Sequence, residues 1–397
     1  MPSETPPPLR RKPRRVVTLL GNKLVGLDSI LPVAMQLKDE SPDLSISFLF
    51  LNAKALPIVE RNYVLFRAMN RTGAIAILSN GDGTLGSKVG AALRLVMWFW
   101  QLVTHRSLLL SPSDLGYFPL SVLAFAARLG GGGACTYCKP AFPANPALNF
   151  AHRLKTADRD MRWRDSGDAF LIYHPQQAND YAGYSSAPSL LIGTPRDYSA
   201  WRNFLTEVRS DTGIQDEQGR DLTKLRNPVI ALFYPGPAVI PSQTDNVRDT
   251  FLNMLHALTL HAAEASIVIK PHPICDLELL RSDIAQFPSL DVRVTHAHPQ
   301  LLLGLATAAI STNGSNVMFD CYLEGVPVIE TARYREEILA LGDTLYPNRG
   351  RIDCSDPSKW KDTLRRVVEA PNSLPKPDRS ELSWPRPQYL GAYLWRQ

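Results

Sequence analysis

Three stretches of this 397-residue chain carry side chains suited to holding and activating an anion. In Ile267-Val268-Ile269-Lys270-Pro271-His272-Pro273 an apolar run ends in a turn, and two prolines fix the backbone on either side of one imidazole. A histidine held there suits a hydrogen bond to a phosphate oxygen or to a leaving phosphate. The plain alternative is a histidine that caps a loop, and the dipeptide also occurs at His174-Pro175 and His298-Pro299. In the second stretch, Ser311, Thr312, Asn313, Gly314, Ser315 and Asn316 stand between an apolar run and a helical pattern. Small polar residues there cap a helix, Gly314 lets backbone approach a ligand, and the helix N-terminus offers free N–H groups to an anion. Each such contribution is about 0.3–1 kcal/mol when exposed, so several must act together. An ordinary capped helix is the alternative. The third stretch sets Asp82 between Gly81 and Gly83 after the run Ile77-Leu78. Asp82 there is either a base or acceptor ligand in an open loop, or one residue of a simple turn. Asn22 and Lys23 form a similar loop after the first apolar run, with Lys23 available to an anionic group, and Glu330 follows the run 326–329, where a carboxylate can hold a sugar hydroxyl.

These residues share one local setting, the end of a short apolar run. The spacing predicts strands at 15–20, 44–51, 74–78, 107–110 and 133–137, separated by helices at 27–38, 53–70, 88–103 and 113–129. From 138 to 221 the pattern breaks, leaving one strand at 190–193 and a helix at 198–209. A second series predicts strands at 229–234, 266–270, 291–294, 308–311 and 326–329. Its helices are 247–263, 276–286, 299–305, 315–324, 334–341 and 357–369. Strands alternating with helices mean βαβ units and a parallel sheet. Continuous apolar strands mean that both sheet faces are covered. In doubly wound sheets ligands bind outside the carboxyl ends of the strands, which is where the three stretches fall.

Length and composition agree with two globular domains at roughly 100–200 residues each. The chain is 45% hydrophobic and 20% charged, which excludes a disordered tail, a fibrous repeat or a disulfide-stapled miniprotein. A net charge of +5 is too mild for a nucleic-acid scaffold. The five cysteines include one C-x-x-C, Cys135 and Cys138, with no second pair at ligand spacing, so no metal site is expected. The usage suits a reducing cytoplasm. Arg10, Arg11, Lys12, Arg14 and Arg15 make a basic arm that reads either as a solvated tail or as a contact with anionic lipid. The run Ala91–Val103 is too short to span a bilayer and reads either as a buried helix or as one lying in a membrane interface.

At Lys270-Pro271-His272-Pro273, Ser311-Thr312-Asn313-Gly314-Ser315, Phe319-Asp320 and Gly325-Val326-Pro327-Val328-Ile329-Glu330 the chain resembles the GT-B glycosyltransferases. Over about residues 228–370 it is similar to bacterial surface-polysaccharide transferases that use CMP-activated acidic sugars. These are the β-Kdo transferases and the His-Pro-containing sialyl- and polysialyltransferases. The resemblance implies an α/β GT-B fold, two doubly wound Rossmann-like domains facing a cleft. With the composition and the break in the pattern, the chain is expected to divide into a disordered arm (1–14), an acceptor-binding domain (15–195), a linker (196–225), a nucleotide-sugar domain (226–375) and a tail returning to the first domain (376–397). His272, Ser311 and Ser315 would hold the CMP phosphate. Lys270, Pro273, Thr312, Asn313, Gly314, Asn316 and Glu330 would line the donor, and Asn22, Lys23 and Gly83 the acceptor side. Gly81-Asp82-Gly83 is similar to a sialyltransferase motif whose acid is the base, with one acid where the family has two. The Kdo transferases carry an early Asp after the strand like 229–234. Here the loop runs from Pro235 to Gln243-Thr244-Asp245, so Asp245 comes late and would act as nucleophile. The expected partners are a CMP-sugar donor and a glycan or lipid-linked glycan, without nucleic acid, metal or other cofactor. The expected location is the cytoplasm, with peripheral contact at the inner membrane. CDP-glycerol and CDP-ribitol phosphotransferases share a similar His-Pro and Ser-rich pair. A non-catalytic or epimerase-like sugar-nucleotide binder is the third reading.

Overall fold

The computed structural model describes residues 11–21, 24–137, 164–173, 175, 177, 187–236, 244–273, 275–312, 317–334, 336, 350–379 and 387–395. They form two compact units. The first comprises the described residues of Met1–Pro140, Asp158–Phe204 and Trp384–Gln397, and the second those of Leu205–Ser383.

The first unit holds β1 (Arg15–Leu20), β2 (Ser45–Phe50), β3 (Ala74–Ile77), β4 (Ser107–Ser111), β5 (Gly133–Tyr137), β6 (Ala169–Ile172) and β7 (Ser189–Leu191). They make one sheet in the order β3-β2-β1-β4-β5-β6-β7, every pair parallel. Strands β4, β5 and β6 are buried along their whole length, as sequences such as Ser-Leu-Leu-Leu-Ser require when helices cover both faces. The second unit holds β8 (Val229–Tyr234), β9 (Ser266–Pro271), β10 (Asp291–Val294), β11 (Ala308–Ser311), β12 (Val328–Glu330) and β13 (Arg351–Asp353). Its order is β10-β9-β8-β11-β12-β13, again all parallel. One face packs Ile230, Leu232, Ile267, Ile269, Ile310 and Ile329 against Phe251, Leu255, Trp360 and Leu364 of the helices Val247–His261 and Trp360–Glu369.

Several expectations need correction. The predicted helix over 53–70 is broken at Asn62, whose side chain accepts from the Leu65 N–H and starts a separate helix, Tyr63–Thr72. The helix predicted from 113 begins at Leu120, because Asp114 accepts from the backbone of Gly116, Arg164 and Asp165 and ties the preceding residues into a loop. Strands β6 and β13 went unpredicted. Part of the predicted helix 334–341 lies outside the described residues. The helix predicted over 198–209 is present as Ser199–Thr212, and the unit division at Phe204 and Leu205 falls inside it. Beyond it a turn, with Gln215 bridged to Asp221, hydrogen-bonds from Glu217 N–H to Val294 on β10. At the C-terminus the helix Leu390–Leu394 is held in the first unit by Glu40, whose carboxylate accepts from the Leu390 N–H at 3.0 Å and the Gly391 N–H at 2.8 Å.

Candidate functional site

The register of the second sheet lines up the ends of five strands. Lys270 pairs with Phe233, Phe233 with Ser311, Ser311 with Glu330, and Glu330 with Asp353. In a parallel ladder paired residues project to the same face. At about 4.8 Å per strand this makes a transverse row about 19 Å long at the carboxyl edge. The alternate residues on these strands, Leu232, Ile269, Ile310 and Ile329, pack in the apolar core of the opposite face. Lys270, Ser311 and Glu330, drawn from three separate segments, therefore share one edge and one face.

His272 stands one step beyond the ladder. Its N–H donates to the Tyr234 carbonyl at 2.8 Å, and its own carbonyl accepts from the Cys275 N–H at 2.8 Å. The backbone is pinned on both sides while the side chain and Pro273 are exposed. The ring reaches solvent on one side only; partial desolvation by the surrounding protein, and secondarily the Lys270 charge, lowers the imidazole pKa below its ordinary 6.5. At neutral pH the ring is neutral, able to donate one hydrogen bond and accept another.

Ser311 and Thr312 are buried. The Thr312 hydroxyl donates to the Phe233 carbonyl at 3.3 Å, continuing the β8–β11 contact past the last ladder pair. The Ser311 carbonyl accepts from the Thr331 N–H at 3.0 Å. Asn313, Gly314, Ser315 and Asn316 lie outside the described residues, as do Asn22 and Lys23.

Glu330 is buried with partners of its own. Its carboxylate pairs with Arg351 Nε at 2.8 Å and accepts from the Tyr334 hydroxyl at 2.7 Å. Burial raises its pKa, against the lowering influence of Arg351 and Tyr334. Sequence reasoning missed both of those groups. The signal for Arg351 was one apolar residue, Ile352, between charges, and Tyr334 was assigned to a helix. A second ion pair, with one buried member, was also missed. Arg248 grips the buried Asp283 through Nε at 3.0 Å and a terminal nitrogen at 2.7 Å, and it lies on the helix Val247–His261, which also carries Phe251, stacked on Tyr234.

The two candidate carboxylates have different settings. Asp82 belongs to the first unit and is exposed; its Oδ1 accepts from both the N–H (3.0 Å) and the hydroxyl (2.9 Å) of Thr84. Thr84 in turn caps the helix Leu85–Thr104 by accepting from the Ser87 N–H. The hydrogen bonds from Thr84 hold the Asp82 carboxyl below the usual carboxylate range. Gly81 and Gly83 flank it in the left-handed region, at φ 74° and 76°, which makes the turn possible. Asp245 belongs to the second unit and is exposed, accepting from the Thr244 hydroxyl at 3.0 Å. The Thr244 N–H bonds the Arg333 carbonyl at 2.9 Å, which holds this segment at the same edge, beside the loop that follows β12.

Among the described residues no group of three or more His, Cys, Asp or Glu side chains is arranged to hold a metal ion. Cys135 is buried on β5, and burial pushes its thiol up to about 12, while Cys138 lies outside the described residues.

No protein-family model matches the chain, and no curated protein matches it. Solved structures do. TcCGT1 in complex with UDP is 12% identical over 94% of each chain, with a TM-score of 0.53. The glycosyltransferase VinC in complex with dTDP is 14% identical, over 91% of this chain and 96% of its own, with a TM-score of 0.48. A family 9 glycosyl transferase from Veillonella parvula is 14% identical, over 92% and 98%, with a TM-score of 0.40. At such identities the first likeness speaks to fold alone. Together with the two parallel sheets of seven and six strands, it gives the fold: the chain has the GT-B fold, with two Rossmann-like units.

Proposed function

We propose that the chain is a glycosyltransferase that moves an acidic sugar, of Kdo or sialic-acid type, from a CMP-activated donor to a bacterial surface glycan. The observation that carries this reading is the row at the carboxyl edge of the second sheet. Lys270 and Ser311 sit in register there, and His272 lies just beyond on a backbone held at both ends. Sheet edges of this kind are where doubly wound folds take their ligands.

In this reading Lys270 and His272 meet the donor phosphate, together with Ser315 and the helix N-terminus. As the sugar leaves, negative charge grows on the nucleotide phosphate, and preorganised donors stabilise it without reorganisation. Asp245 is the carboxylate that acts at the sugar, since it is exposed on this same edge. Asp82 serves its turn instead, because an acid held below the usual range is a poor general base. Glu330 acts through Arg351 and Tyr334, shaping the floor of the row.

A second reading keeps the transferase and changes the donor. The structure of TcCGT1 holds UDP, which favours a UDP-linked sugar. Thermal shift of the full chain with CMP, CDP, UDP and dTDP separates these. The expected result is stabilisation by CMP that is lost in His272→Ala. A preference for UDP or dTDP removes the CMP assignment, and a preference for CDP points to polyol-phosphate transfer. If no nucleotide binds, the transferase reading falls.

A further inference from the structure

The helix Leu85–Thr104 is apolar on two sides. One side, with Trp98 and Leu102 buried and Leu95 and Phe99 packed beside them, joins the core of the first unit. The other presents Leu85, Val89, Leu93, Val96, Met97 and Trp100 to the surface; Leu85 is 78% exposed, Leu93 67% and Trp100 60%. Their spacing keeps all six within about 120° of arc, along a stripe of about 22 Å. A helix apolar all round belongs in an interior, and a contiguous exposed strip of this size marks a binding surface.

The helix Leu120–Leu129 widens the strip. Its terminal Gly130 lies so close to the Leu102 and Val103 carbonyls that a Cβ there would strike them. Exposed Leu129 is thereby set beside the end of the longer helix, with exposed Phe125 one turn back. Before the same helix Phe118 is 75% exposed and Tyr117 half exposed.

Most of the charges around this strip are positive; the exposed acid at the helix start, Asp82, is bonded to the capping Thr84. From Gly83 to Tyr137 the sequence holds a single acid, Asp114, against Lys88, Arg94, Arg106 and Arg128. The carboxylate of Asp114 is occupied by three backbone N–H groups. Lys88 is exposed at the flank of the stripe, and the Arg164 guanidinium lies 4.6 Å over the Tyr117 ring beside Phe118. At the opposite end exposed Arg14 bonds through its N–H to the Arg106 carbonyl, and exposed Arg11 is three residues before it. Among the described residues no helix is long and apolar enough to cross a membrane, and the buried side of this one fixes it flat on its sheet.

We infer that this face docks onto an anionic lipid bilayer. The apolar stripe enters the acyl boundary, and Lys88, Arg164, Arg11 and Arg14 meet the headgroups around it. An apolar face with cations at its rim is the composition that lies in a membrane plane. The inference rests on no catalytic assignment.

The test is co-sedimentation of the full chain with vesicles of mixed phosphatidylglycerol and phosphatidylcholine, against vesicles of phosphatidylcholine alone. Wild type sediments with the anionic vesicles, and added salt releases part of it. The double variant Leu93→Ser/Trp100→Ser binds at least about tenfold more weakly, because each side chain removed is a large buried contact in the bound state. Both positions are exposed, so its melting curve stays that of wild type, and Lys88→Glu weakens binding to anionic vesicles alone. The inference is overturned if wild type fails to sediment. It is overturned equally if the double variant sediments as wild type does, which would leave the N-terminal arm as the lipid contact. A dimer in sedimentation velocity that the double variant dissociates and vesicles do not displace would assign the face to a second copy, and would also overturn it.

Discussion

Replacing Arg351 by methionine removes the charge opposite Glu330 and keeps an apolar stem of similar length. The Glu330 and Arg351 side chains are 2% and 18% exposed, with Nε and Oε2 at 2.8 Å. Removing one member of such a buried pair strands the other, at a cost of about 3–5 kcal/mol. The Tyr334 hydroxyl remains as a donor, which puts the expected loss near the lower end, about 3 kcal/mol. The loss depends on pH. Burial already raises the Glu330 pKa above its ordinary 4.5, and Arg351 is the largest influence that lowers it, so the variant raises it further. A carboxyl with a raised folded pKa contributes stability that is complete below the unfolded value and is lost as pH rises through the folded one. The penalty of Arg351→Met is therefore small at about pH 3, below the ordinary value, where the carboxyl is protonated both folded and unfolded, and larger at about pH 8. Urea titration at the two pH values, followed by amide exchange in β8, β9 and β11, measures it. The double variant Glu330→Gln/Arg351→Met recovers most of the loss, since no stranded charge remains. An equal penalty at both pH values, or one under about 1 kcal/mol at the higher pH, would refute the reasoning.

Other outcomes follow from the same geometry. Asp82→Asn keeps turnover within about threefold, while Asp245→Asn loses about a hundredfold or more with CMP affinity intact; the reverse pattern in steady-state kinetics moves the catalytic carboxylate to the first unit. Lys270→Met moves the His272 pKa upward toward, and not beyond, its ordinary 6.5, since the remaining desolvation still lowers it. An NMR titration of the imidazole reads this, and a fixed or falling value contradicts it. Gly132→Ala drives a Cβ into the Ser107 backbone at the entry to β5, and a loss of about 1–3 kcal/mol is expected in urea unfolding; an unchanged midpoint would mean that the loop yields freely.

The strands that were legible beforehand are those whose burial on both faces leaves no choice of residue. Val-Ile-Ala-Leu-Phe-Tyr of β8 and Gly-Ala-Cys-Thr-Tyr of β5 begin and end where the reading put them. Strand β13, Arg-Ile-Asp, was invisible because it takes its place from pairing with β12, and one isoleucine between two charges carries no periodicity. Strand β6 was hidden for a related reason: four apolar residues follow the charged Arg164-Asp165 and Asp168, where Arg128 reaches across to both acids. The site divides along the same line. Lys270, His272 and Ser311 could be found because each lies at or next to the end of an apolar strand. The partners of Glu330 could not, because Arg351 and Tyr334 meet it only through the tertiary fold.

That division has a consequence for how the site is held. Lys270, Ser311 and Glu330 share a face only because Ile269, Ile310 and Ile329 occupy the opposite one, packed against Phe251 and Leu255. A one-residue slip of β11 would send Ser311 into that apolar core and Ile310 to the polar edge, so the hydrophobic pattern that selects the register also selects the site. The polar row contributes little to this choice. Its buried carboxylate, Glu330, carries a desolvation cost that Arg351 and Tyr334 offset only in part, which is why its pKa stays raised. The energy that positions the row comes from the isoleucines behind it. A conservative change such as Ile310→Val should therefore disturb the polar edge less than the loss of Arg351, because it thins the core by one methylene and leaves the register intact.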